Sequence, residues 1–255
     1  DESDGSFLKV PQTYSIVTNI DEEHLDYYKS IKVLKNKFIE FIEKTPSFGK
    51  CFICLDDINN KKIIKKIKNK NFQTYGIDNN SNFKIYNIKQ DYNFSKFDVK
   101  ISIPGKKNKF IKSIKIPMIG IHNIRNATAS IAVAFTIGIS DNFIKKGLKN
   151  FKGVQRRFNF IFKHHDSLFF DDYAHHPTEI KEVLNSVKTV YKNSEIICVF
   201  QPHRISRLSR LRKEFSKAFI DADRVILCPI YKAGENLKLN FSYKFFAKEL
   251  IKNSK

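Results

Sequence analysis

The sequence predicts an α/β fold, in which apolar strands alternate with amphipathic helices along most of the chain. Apolar runs such as Cys51–Leu55 are repeatedly followed by segments with helical periodicity. Two apolar runs in the second half of the chain end in polar turns that lead into helix starts. The chain has 255 residues, of which 42% are hydrophobic, so it can bury ample core and is long for one domain.

Strands and helices alternate in the first part of the chain, up to about residue 151. A strand at Ser15–Asn19 precedes a helix at Ile31–Lys44, whose apolar side chains fall on one face. The elements predicted after it are a strand at Cys51–Leu55, a lysine-rich helix around Ile63–Ile67, short antiparallel strands between Gln73 and Ile116, and helices over 123–137 and 141–150, the second capped by Ser140 or Asp141.

The alternation of strand, loop and helix resumes after Phe151 and defines a second domain. Ser167–Phe170 has the pattern of a short buried strand, and Pro177 suits the first position of a helix that runs to about Tyr191. A further strand within 195–200 leads to a helix that begins near Ser206. We therefore predict domains at 1–151 and 152–255, joined by a hinge near Gly153.

The loop after the strand at Ser167–Phe170 is the most informative stretch of the chain. It concentrates two carboxylates, a phenol and two imidazoles, which are Asp171, Asp172, Tyr173, His175 and His176. In open α/β sheets, ligands bind at the carboxyl ends of the strands, so this position favours a binding or catalytic site. The alternative is a solvated loop whose Asp and His side chains cap a helix.

A second polar turn contains His203, Arg204 and Arg207, again between a strand and a helix. If the helix that begins at Pro177 is a crossover between two neighbouring parallel strands, both turns lie on the same edge of the sheet. Guanidinium groups bind carboxylate and phosphate in a planar, two-pronged geometry. The two turns together therefore predict a crevice for an anionic substrate.

Six short motifs place the chain beside a known family. In chain order they are Asp1–Phe7, Thr18–Asp26, His122–Ala127, Arg156–Phe158, Asp171–Pro177 and Phe200–Arg204. This ordered set covers almost the whole chain and resembles the Mur ligases of bacterial cell-wall synthesis. Within that family it is most similar to the members that join L-alanine to UDP-N-acetylmuramate. Members that attach a recycled tripeptide to the same sugar nucleotide are the alternative.

The resemblance implies a fold and a reaction. Residues 1–151 would be the rear part of a central ATP-binding domain, and 152–255 a truncated, Rossmann-like C-terminal domain. With Mg²⁺, ATP would phosphorylate the muramate carboxylate of UDP-N-acetylmuramate, and the amine of L-alanine would attack the acyl phosphate, releasing ADP and phosphate. Such a site must gather anionic ligands, screen their charge and hold the amine near the carbonyl carbon.

The resemblance also implies roles for individual residues. The expected ATP contacts are His122, Asn123, Asn126, Arg157, Asp172 and Tyr173. The expected substrate contacts are His175, His176, His203, Arg204 and Arg207. Of these, Asp172, His175 and Arg204 are expected to be catalytic, and His24 is expected to be a magnesium ligand.

Three of these roles have structural alternatives. His24 follows a strand and has acidic neighbours, as in a surface turn, and imidazole is an unusual ligand for Mg²⁺. Asn123 is placed like an ordinary helix N-cap. Arg157 and its neighbour Arg156 are compatible with simple surface charge.

Several parts of the family pattern are missing from the chain. No Gly-x-x-x-x-Gly-Lys-Ser/Thr phosphate loop occurs, and the chain starts at Asp1 rather than at methionine. The family's UDP-sugar-binding domain and a magnesium-binding glutamate would precede the first motif, and further strands would follow Glu235 and one more helix. We therefore expect an interior piece of a longer ligase, which needs the missing N-terminal portion and is inactive alone.

The composition favours some classes of protein over others. The net charge of +20 and pI near 9.7 would suit a nucleic-acid-binding module, which predicts tight, salt-dependent binding. However, the lysines are scattered, and near Ile63 and Ile67 they form the solvated back of a helix. We therefore expect no nucleic-acid partner. A metal hydrolase that uses Asp171, Asp172 and the adjacent imidazoles is a third hypothesis.

The remaining features concern compartment and redox state. The sequence has no run long enough to span a membrane and no visible signal peptide, so we expect a cytoplasmic protein without membrane insertion. Cys51 and Cys54 have the spacing of a zinc or redox pair, but residues three apart in a strand face opposite sides. We expect the cysteines to be small core residues.

Overall fold

The structure is a computed structural model that describes residues 3–235 and 242–253. Asp1 and Glu2, which begin the first motif, lie outside the described residues. The chain divides into two compact units. The first contains most of the chain up to Phe151, and the second begins at Lys152 and takes in the short segments Gln90–Phe94 and Pro117–Ile121.

The first unit is built on a six-stranded sheet in the order β1-β2-β3-β4-β5-β6. The strands are β1 (Tyr14–Val17), β2 (Lys50–Cys54), β3 (Phe72–Gly76), β4 (Phe83–Asp91), β5 (Phe94–Ile101) and β6 (Lys109–Ile116). Strands β1 to β4 pair in parallel, and β5 pairs with β6 in antiparallel fashion. The predicted α/β class is therefore confirmed.

Strand β2 shows why apolar residues in this unit follow one another without alternating polar residues. Cys51, Phe52 and Ile53 are all fully buried, as expected for a parallel strand that is covered on both faces. The prediction of antiparallel strands from Gln73 to Ile116 was partly wrong, because β3 pairs with β4 in parallel. Alternation of side chains has the same period in both kinds of ladder, so it could not give the strand direction.

Five α-helices are described in the first unit, after a short 3₁₀ helix at Ser6–Lys9. They are α1 (Leu25–Tyr28), α2 (Ile31–Glu43), α3 (Ile58–Ile64), α4 (Ile121–Thr136) and α5 (Asp141–Asn150). Helix α2 buries Leu34, Phe38 and Ile42 at helical spacing, and the Ser30 side chain accepts a hydrogen bond from the Val33 N–H at 3.3 Å. The lysine-rich helix ends earlier than predicted: Ile67 is buried, but it lies in a turn after α3.

The second unit contains two small sheets and four helices in the described residues. The elements are β7 (Asn159–His164), β8 (Ser167–Asp171), α6 (Pro177–Val190), β9 (Ile197–Phe200), α7 (Ile205–Arg210), α8 (Arg212–Ala218), β10 (Arg224–Leu227) and α9 (Tyr243–Asn253). Strands β7 and β8 form an antiparallel hairpin, and β9 pairs with β10 in parallel. The core joins α6, α8 and α9 through Leu184, Phe215, Phe219 and Phe246.

Two expectations for this unit were wrong. Strand β8 is not buried: Leu168 and Phe169 are each 43% exposed. Within the described residues β8 pairs with β7, not with β9, so α6 does not connect neighbouring strands of one sheet. The apolar character of β8 comes from aromatic pairing across the hairpin, as in the stacked rings of Phe162 and Phe169 at 4.3 Å. Among all described helices, none has the length and apolarity needed to cross a bilayer.

Candidate active site

The loop between β8 and α6 is organised by Asp172. One carboxylate oxygen accepts a hydrogen bond from the Phe158 N–H at 2.8 Å, and the other accepts from the Ala174 N–H at 2.7 Å. A further backbone bond, from the Tyr173 N–H to the Arg156 carbonyl at 2.8 Å, ties the loop to the turn that precedes β7. Asp172 therefore holds two segments together through its two oxygens.

The turn at Arg156–Phe158 has a strained backbone. Arg156 and Phe158 have positive φ values of 58° and 51°, a region that residues with a side chain rarely adopt. This geometry places the Arg156 guanidinium 4.5 Å, and that of Arg157 5.9 Å, from the centre of the Tyr173 ring. The predicted residues Arg157, Asp172 and Tyr173 thus lie together.

The electrostatics of Asp172 reflect its partial burial. Burial raises the pKa of Asp172 above its ordinary value, and the hydrogen bonds from Ala174 and Phe158 and the charge of Arg157 oppose that rise. The carboxylate is thus a preorganised acceptor in a place where a negative charge is poorly solvated. Such a group can accept a hydrogen bond from a ligand hydroxyl or ammonium.

His175 is oriented by the loop that carries it. Its Nδ1 lies 2.9 Å from the Tyr173 carbonyl oxygen, and because a carbonyl only accepts, Nδ1 is the donor. In the neutral ring Nε2 therefore carries the lone pair. Glu179 Oε2 lies 3.6 Å from the same Nδ1 and accepts the His175 backbone N–H at 3.0 Å. This arrangement fixes the tautomer and the orientation of the ring.

Glu179 links this histidine to the arginine turn. Burial opposes its ionisation, but the His175 N–H, the His175 ring and Arg157, whose Nη1 is 3.5 Å away, together hold the pKa of Glu179 below its usual value. Glu179 was not among the predicted site residues. Its helix-start position indicated a capping role only, and the contact with His175 depends on the turn of α6.

His176 points differently from its neighbour. It is 4% exposed, and its Nδ1 accepts a hydrogen bond from the Thr178 N–H at 3.4 Å at the start of α6. The Glu179 carboxylate completes a capping box with the His176 backbone N–H. The structure thus gives His176 a place in the helix cap. Its predicted contact with substrate stays a prediction.

The second polar turn is held against the segment that follows β10. The Arg204 N–H donates to the Tyr231 carbonyl at 2.9 Å, and the Tyr231 N–H donates to the Pro202 carbonyl at 2.9 Å. Arg204 itself has a positive φ of 70°, another strained position at the candidate site. Arg207, in the first turn of α7, is only 9% exposed. The backbone of this turn is therefore fixed by its hydrogen bonds to the segment after β10.

Rings in edge-on or tilted contact connect the two polar turns. The ring centres of Tyr173 and His175 are 5.1 Å apart, those of His175 and His203 5.8 Å, and those of His203 and Tyr231 5.2 Å. The predicted convergence of the two turns therefore occurs, although the strands before them do not pair. Rings at this spacing pack in tilted contacts that restrict each side chain.

His203 is surrounded by positive charge. Burial lowers the pKa of His203 below its ordinary value of 6.5, and Arg207, His175 and Arg204 lower it further. The ring is therefore neutral at physiological pH. A neutral imidazole beside two guanidinium groups can donate or accept a hydrogen bond without adding to the charge.

Two residues near this turn escaped the sequence analysis. Tyr231 contributes a ring and a carbonyl, and Glu235 accepts hydrogen bonds from the Ser206 N–H at 3.1 Å and from the Ser206 hydroxyl at the start of α7. The signal that could have revealed them is their position directly after β10. Since β9 and β10 are parallel, the residues after both strands meet at one edge.

In the first unit, three predicted ATP contacts lie on α4. His122, Asn123 and Asn126 all fall in its first two turns, with His122 and Asn123 partly buried and Asn126 exposed. The helix begins at Ile121, so Asn123 is its third residue and the N-cap alternative is wrong. The contact of these residues with a ligand stays a prediction.

The expected magnesium ligand lies elsewhere in this unit. His24 has a positive φ of 54° and precedes α1. Among the residues that the structure describes, no group of three or more His, Cys, Asp or Glu side chains is arranged to hold a metal ion. Since Mg²⁺ commonly binds through one or two protein oxygens together with waters and phosphates, the role of His24 as a ligand stays a prediction.

Two of the four cysteines are core residues, whereas Cys198 and Cys228 are half-buried. Cys51 and Cys54 are buried and unbridged, and burial raises the pKa of Cys51 to about 11. The same cause raises the pKa of Cys198 to about 11. Thiols with such values are poor nucleophiles at neutral pH.

Fold and site together define a class: an α/β protein whose second unit gathers imidazole and guanidinium groups suited to anionic ligands. The chain belongs to the Mur ligase family. Residues 2–134 match the Mur ligase middle domain, and residues 156–253 match the family described as Mur ligase, glutamate ligase domain.

Two curated relatives match all or most of the chain. The chain is 67% identical over 255 residues to a UDP-N-acetylmuramate--L-alanine ligase of Pelagibacter ubique, covering 100% of this chain and 55% of that protein. It is 44% identical over 242 residues to the ligase of the same name from Brachyspira hyodysenteriae, covering 92% of this chain and 50% of that protein. The chain thus spans about half the length of the curated relatives it matches.

Two solved structures are also similar to the chain. The UDP-N-acetylmuramate-alanine ligase of Thermotoga maritima matches with a TM-score of 0.74 and 26% identity, covering 99% of this chain and 52% of that one. A murein peptide ligase from Psychrobacter arcticus matches with a TM-score of 0.57 at 24% identity. The latter likeness shows the fold alone.

Proposed function

We propose that this chain supplies the rear part of an ATP-dependent ligase that joins L-alanine to UDP-N-acetylmuramate. The observation that carries the proposal is the 67% identity to the Pelagibacter ligase over the whole chain. The paired polar turns of the second unit support it, because they provide cationic and imidazole groups for anionic substrates. We propose domains at 1–151 and 152–255, with the rest of the site supplied by the half of the ligase outside this chain.

In this proposal the second turn holds a substrate carboxylate. Arg204 and Arg207 form charge-assisted hydrogen bonds to it, and the neutral His203 ring adds a hydrogen bond without repelling the arginines. The strained Arg204 backbone and the bonds to Tyr231 hold the turn in place before substrate arrives. Such preorganisation favours the transition state, since no reorganisation is needed during the reaction.

His175 acts on the incoming amine. L-Alanine carries an ammonium group in solution, which must lose a proton before nitrogen can attack the acyl carbon. The Nδ1 donor bond to the Tyr173 carbonyl leaves the Nε2 lone pair to take that proton, and Glu179 then stabilises the imidazolium. The new bond joins the amine nitrogen to the acyl carbon, and phosphate leaves with the electrons of the carbon–oxygen bond.

The remaining residues hold the nucleotide. Asp172, Tyr173 and Arg157 form one group in the second unit, in which the carboxylate accepts from a ribose hydroxyl and the guanidinium meets phosphate. Asn123 and Asn126 of α4, with His122 beside them, provide amide donors and acceptors for adenine. Mg²⁺ would screen the phosphate charge when bound, with His24 as one proposed ligand among groups outside this chain.

The proposal is tested with a chimera in which this chain replaces the matching region of the Pelagibacter ubique ligase. ADP release is measured with ATP and Mg²⁺, with and without UDP-N-acetylmuramate and L-alanine. We expect release that requires both acceptor substrates. R204Q should lower kcat/KM by about a hundredfold, whereas R210Q, on an exposed part of α7, should leave it within about twofold.

Two results would count against the proposal. ADP release that is indifferent to L-alanine would remove the assigned reaction. Equal loss of kcat/KM in R204Q and R210Q would remove the assigned role of the second turn. Ester or phosphate cleavage without ATP would instead favour the hydrolase hypothesis.

A further inference from the structure

Asp56 lies just past the end of β2 and gathers donors from two other segments of the first unit. Its carboxylate accepts the Ile77 N–H at 2.9 and 3.0 Å, the Asp78 N–H at 2.9 Å and the Arg125 Nε–H at 2.7 Å. The Asp56 side chain is only 10% exposed. One carboxylate thus joins the turn after β3 to helix α4.

The turn after β3 fits closely against this carboxylate. Gly76 has a φ of +144°, and a Cβ at this position would lie 2.6 Å from Asp56 Oδ1. Only glycine allows the backbone to approach so closely without displacing Asp56. The Asp56 carboxylate is therefore held in place by the turn after β3, independently of its bond to Arg125.

Arg125 connects this fixed acceptor to α4. It lies between Asn123 and Asn126 on the helix, and its neighbour Ile124 is fully buried in the core. Successive helical residues point about 100° apart, so an apolar anchor at Ile124 and a polar anchor at Arg125 together set the rotation of α4 about its axis. That rotation decides where the two asparagine amides point.

The surroundings of the pair favour positioning over ligand binding. Asp56 and Arg125 line an open depression of about 480 Å³, together with Lys61, Asp78 and the turn between them. Lys61 bonds Asp78 at 2.7 Å, so both cations of the depression are matched by carboxylates. The charges are compensated within the protein and offer no net attraction to phosphate.

We propose that the Asp56–Arg125 ion pair positions the nucleotide-contacting face of α4. This inference rests on the proposed function, since it takes Asn123 and Asn126 as adenine contacts. Asp56 and Arg125 are positioning residues: they act through the helix and not on the reacting atoms. Loss of the Arg125 bond then weakens ATP binding while the chemical step, carried by the second unit, is preserved.

The test compares R125M with K61M in the same chimera. Both changes remove one cation from the depression, and Arg125 and Lys61 have similar side-chain exposures of 30% and 41%. Only R125M removes a bond to α4. We expect R125M to raise the Kd and the KM for ATP roughly tenfold, with the KM for L-alanine and kcat within about twofold, and R125K to recover part of the affinity. K61M should match the parent.

The outcomes of this experiment distinguish a failure of the positioning inference from a failure of the proposed function. A purely structural role would reduce the amount of active enzyme and hence kcat, without raising the KM for ATP. An ATP Kd for R125M equal to that of K61M would overturn the inference. If R125M fails to fold, a Kd for ATP in R125K equal to that of the parent would also overturn the inference. If the parent chimera binds ATP but releases no ADP in response to L-alanine, the proposed function fails, and the comparison of Kd values still decides the inference.

Discussion

Asp171 and Asp172 are adjacent carboxylates with different structural duties. Asp172 accepts two backbone hydrogen bonds and is partly buried. Asp171 has a side chain 47% exposed and faces Arg156 at 3.7 Å, a loose pair of the kind that contributes little at a surface. The contrast between them follows from the turn of the loop, which the sequence alone does not specify.

We predict that D172N destabilises the chain and D171N does not. An amide offers one acceptor oxygen where the carboxylate uses two, so one backbone N–H would face an NH₂ group. Loss of one such bond should lower the free energy of unfolding by about 1–3 kcal/mol. Urea unfolding followed by circular dichroism measures the difference, and equal stability of the two variants would show that Asp172 does not hold the loop.

His203 gives a pH dependence with a defined sign. Its pKa is lower in the folded chain than the ordinary 6.5 of an exposed histidine. As pH falls through 6.5, the unfolded chain takes up this proton first, so folding stability decreases with acidification and the decrease ends below the folded pKa.

The variant H203Q should therefore lose part of the fall in stability between about pH 7.5 and pH 5.5. Urea unfolding at several pH values gives the slopes. An equal slope for H203Q and the parent would show that burial and neighbouring charges do not lower the pKa of His203.

At the scale of elements, the start of α6 combines structure with predicted function. His176 caps the helix and is buried, whereas its neighbour His175 shares ring contacts with Tyr173 and His203. Two adjacent imidazoles thus separate into a helix cap and a candidate site residue. The sequence predicted both as substrate contacts.

Substitution at His176 distinguishes the cap from a substrate contact. Asparagine is a good N-cap and alanine is not, so H176A should be less stable than the parent by about 1 kcal/mol, while H176N should be close to it. If capping is the whole role, H176N in the chimera keeps the KM for both acceptor substrates. A raised KM in H176N at unchanged stability would instead support the predicted substrate contact.

The elements were predictable where one pattern decided them. Helix α2 follows from its apolar spacing, and the start of α6 follows from Pro177. Strand β8 was misjudged because an apolar run has the same appearance in a core strand and in an aromatic hairpin. The direction of β3 against β4 and the early end of α3 depend on tertiary packing, which periodicity does not report.

At the scale of the whole molecule, the family motifs indicated the candidate site residues and the strand pattern predicted that the two polar turns converge, but the separate β7–β8 hairpin was not predicted. The family motifs indicated Asp172, His175, His203, Arg204 and Arg207, and the structure brings the two turns that carry them into ring contact. Glu179, Tyr231 and Glu235 were missed as site residues, because their roles arise only when the turns after β8, β9 and β10 meet.

The strongly basic character of the chain is spread over its surface, and the absence of a nucleic-acid partner stays a prediction. Many lysines occupy exposed helix and strand positions, and several pair with surface carboxylates, such as Lys37 with Glu40 at 3.0 Å and Lys188 with Asp223 at 3.1 Å. The guanidinium groups of Arg204 and Arg207 differ from these scattered lysines, because both belong to one turn that is held against the segment after β10. The predicted function therefore depends on this arrangement and not on net charge.

The most direct measurement is product formation by the chimera in a competition. UDP-N-acetylmuramate, ATP and Mg²⁺ are mixed with equal concentrations of L-alanine and of the tripeptide used by the recycling members of the family, and the products are separated by mass. We predict that UDP-N-acetylmuramoyl-L-alanine is the main product and that its formation matches ADP release. Predominance of the tripeptide adduct, or ADP release without either adduct, would contradict the account.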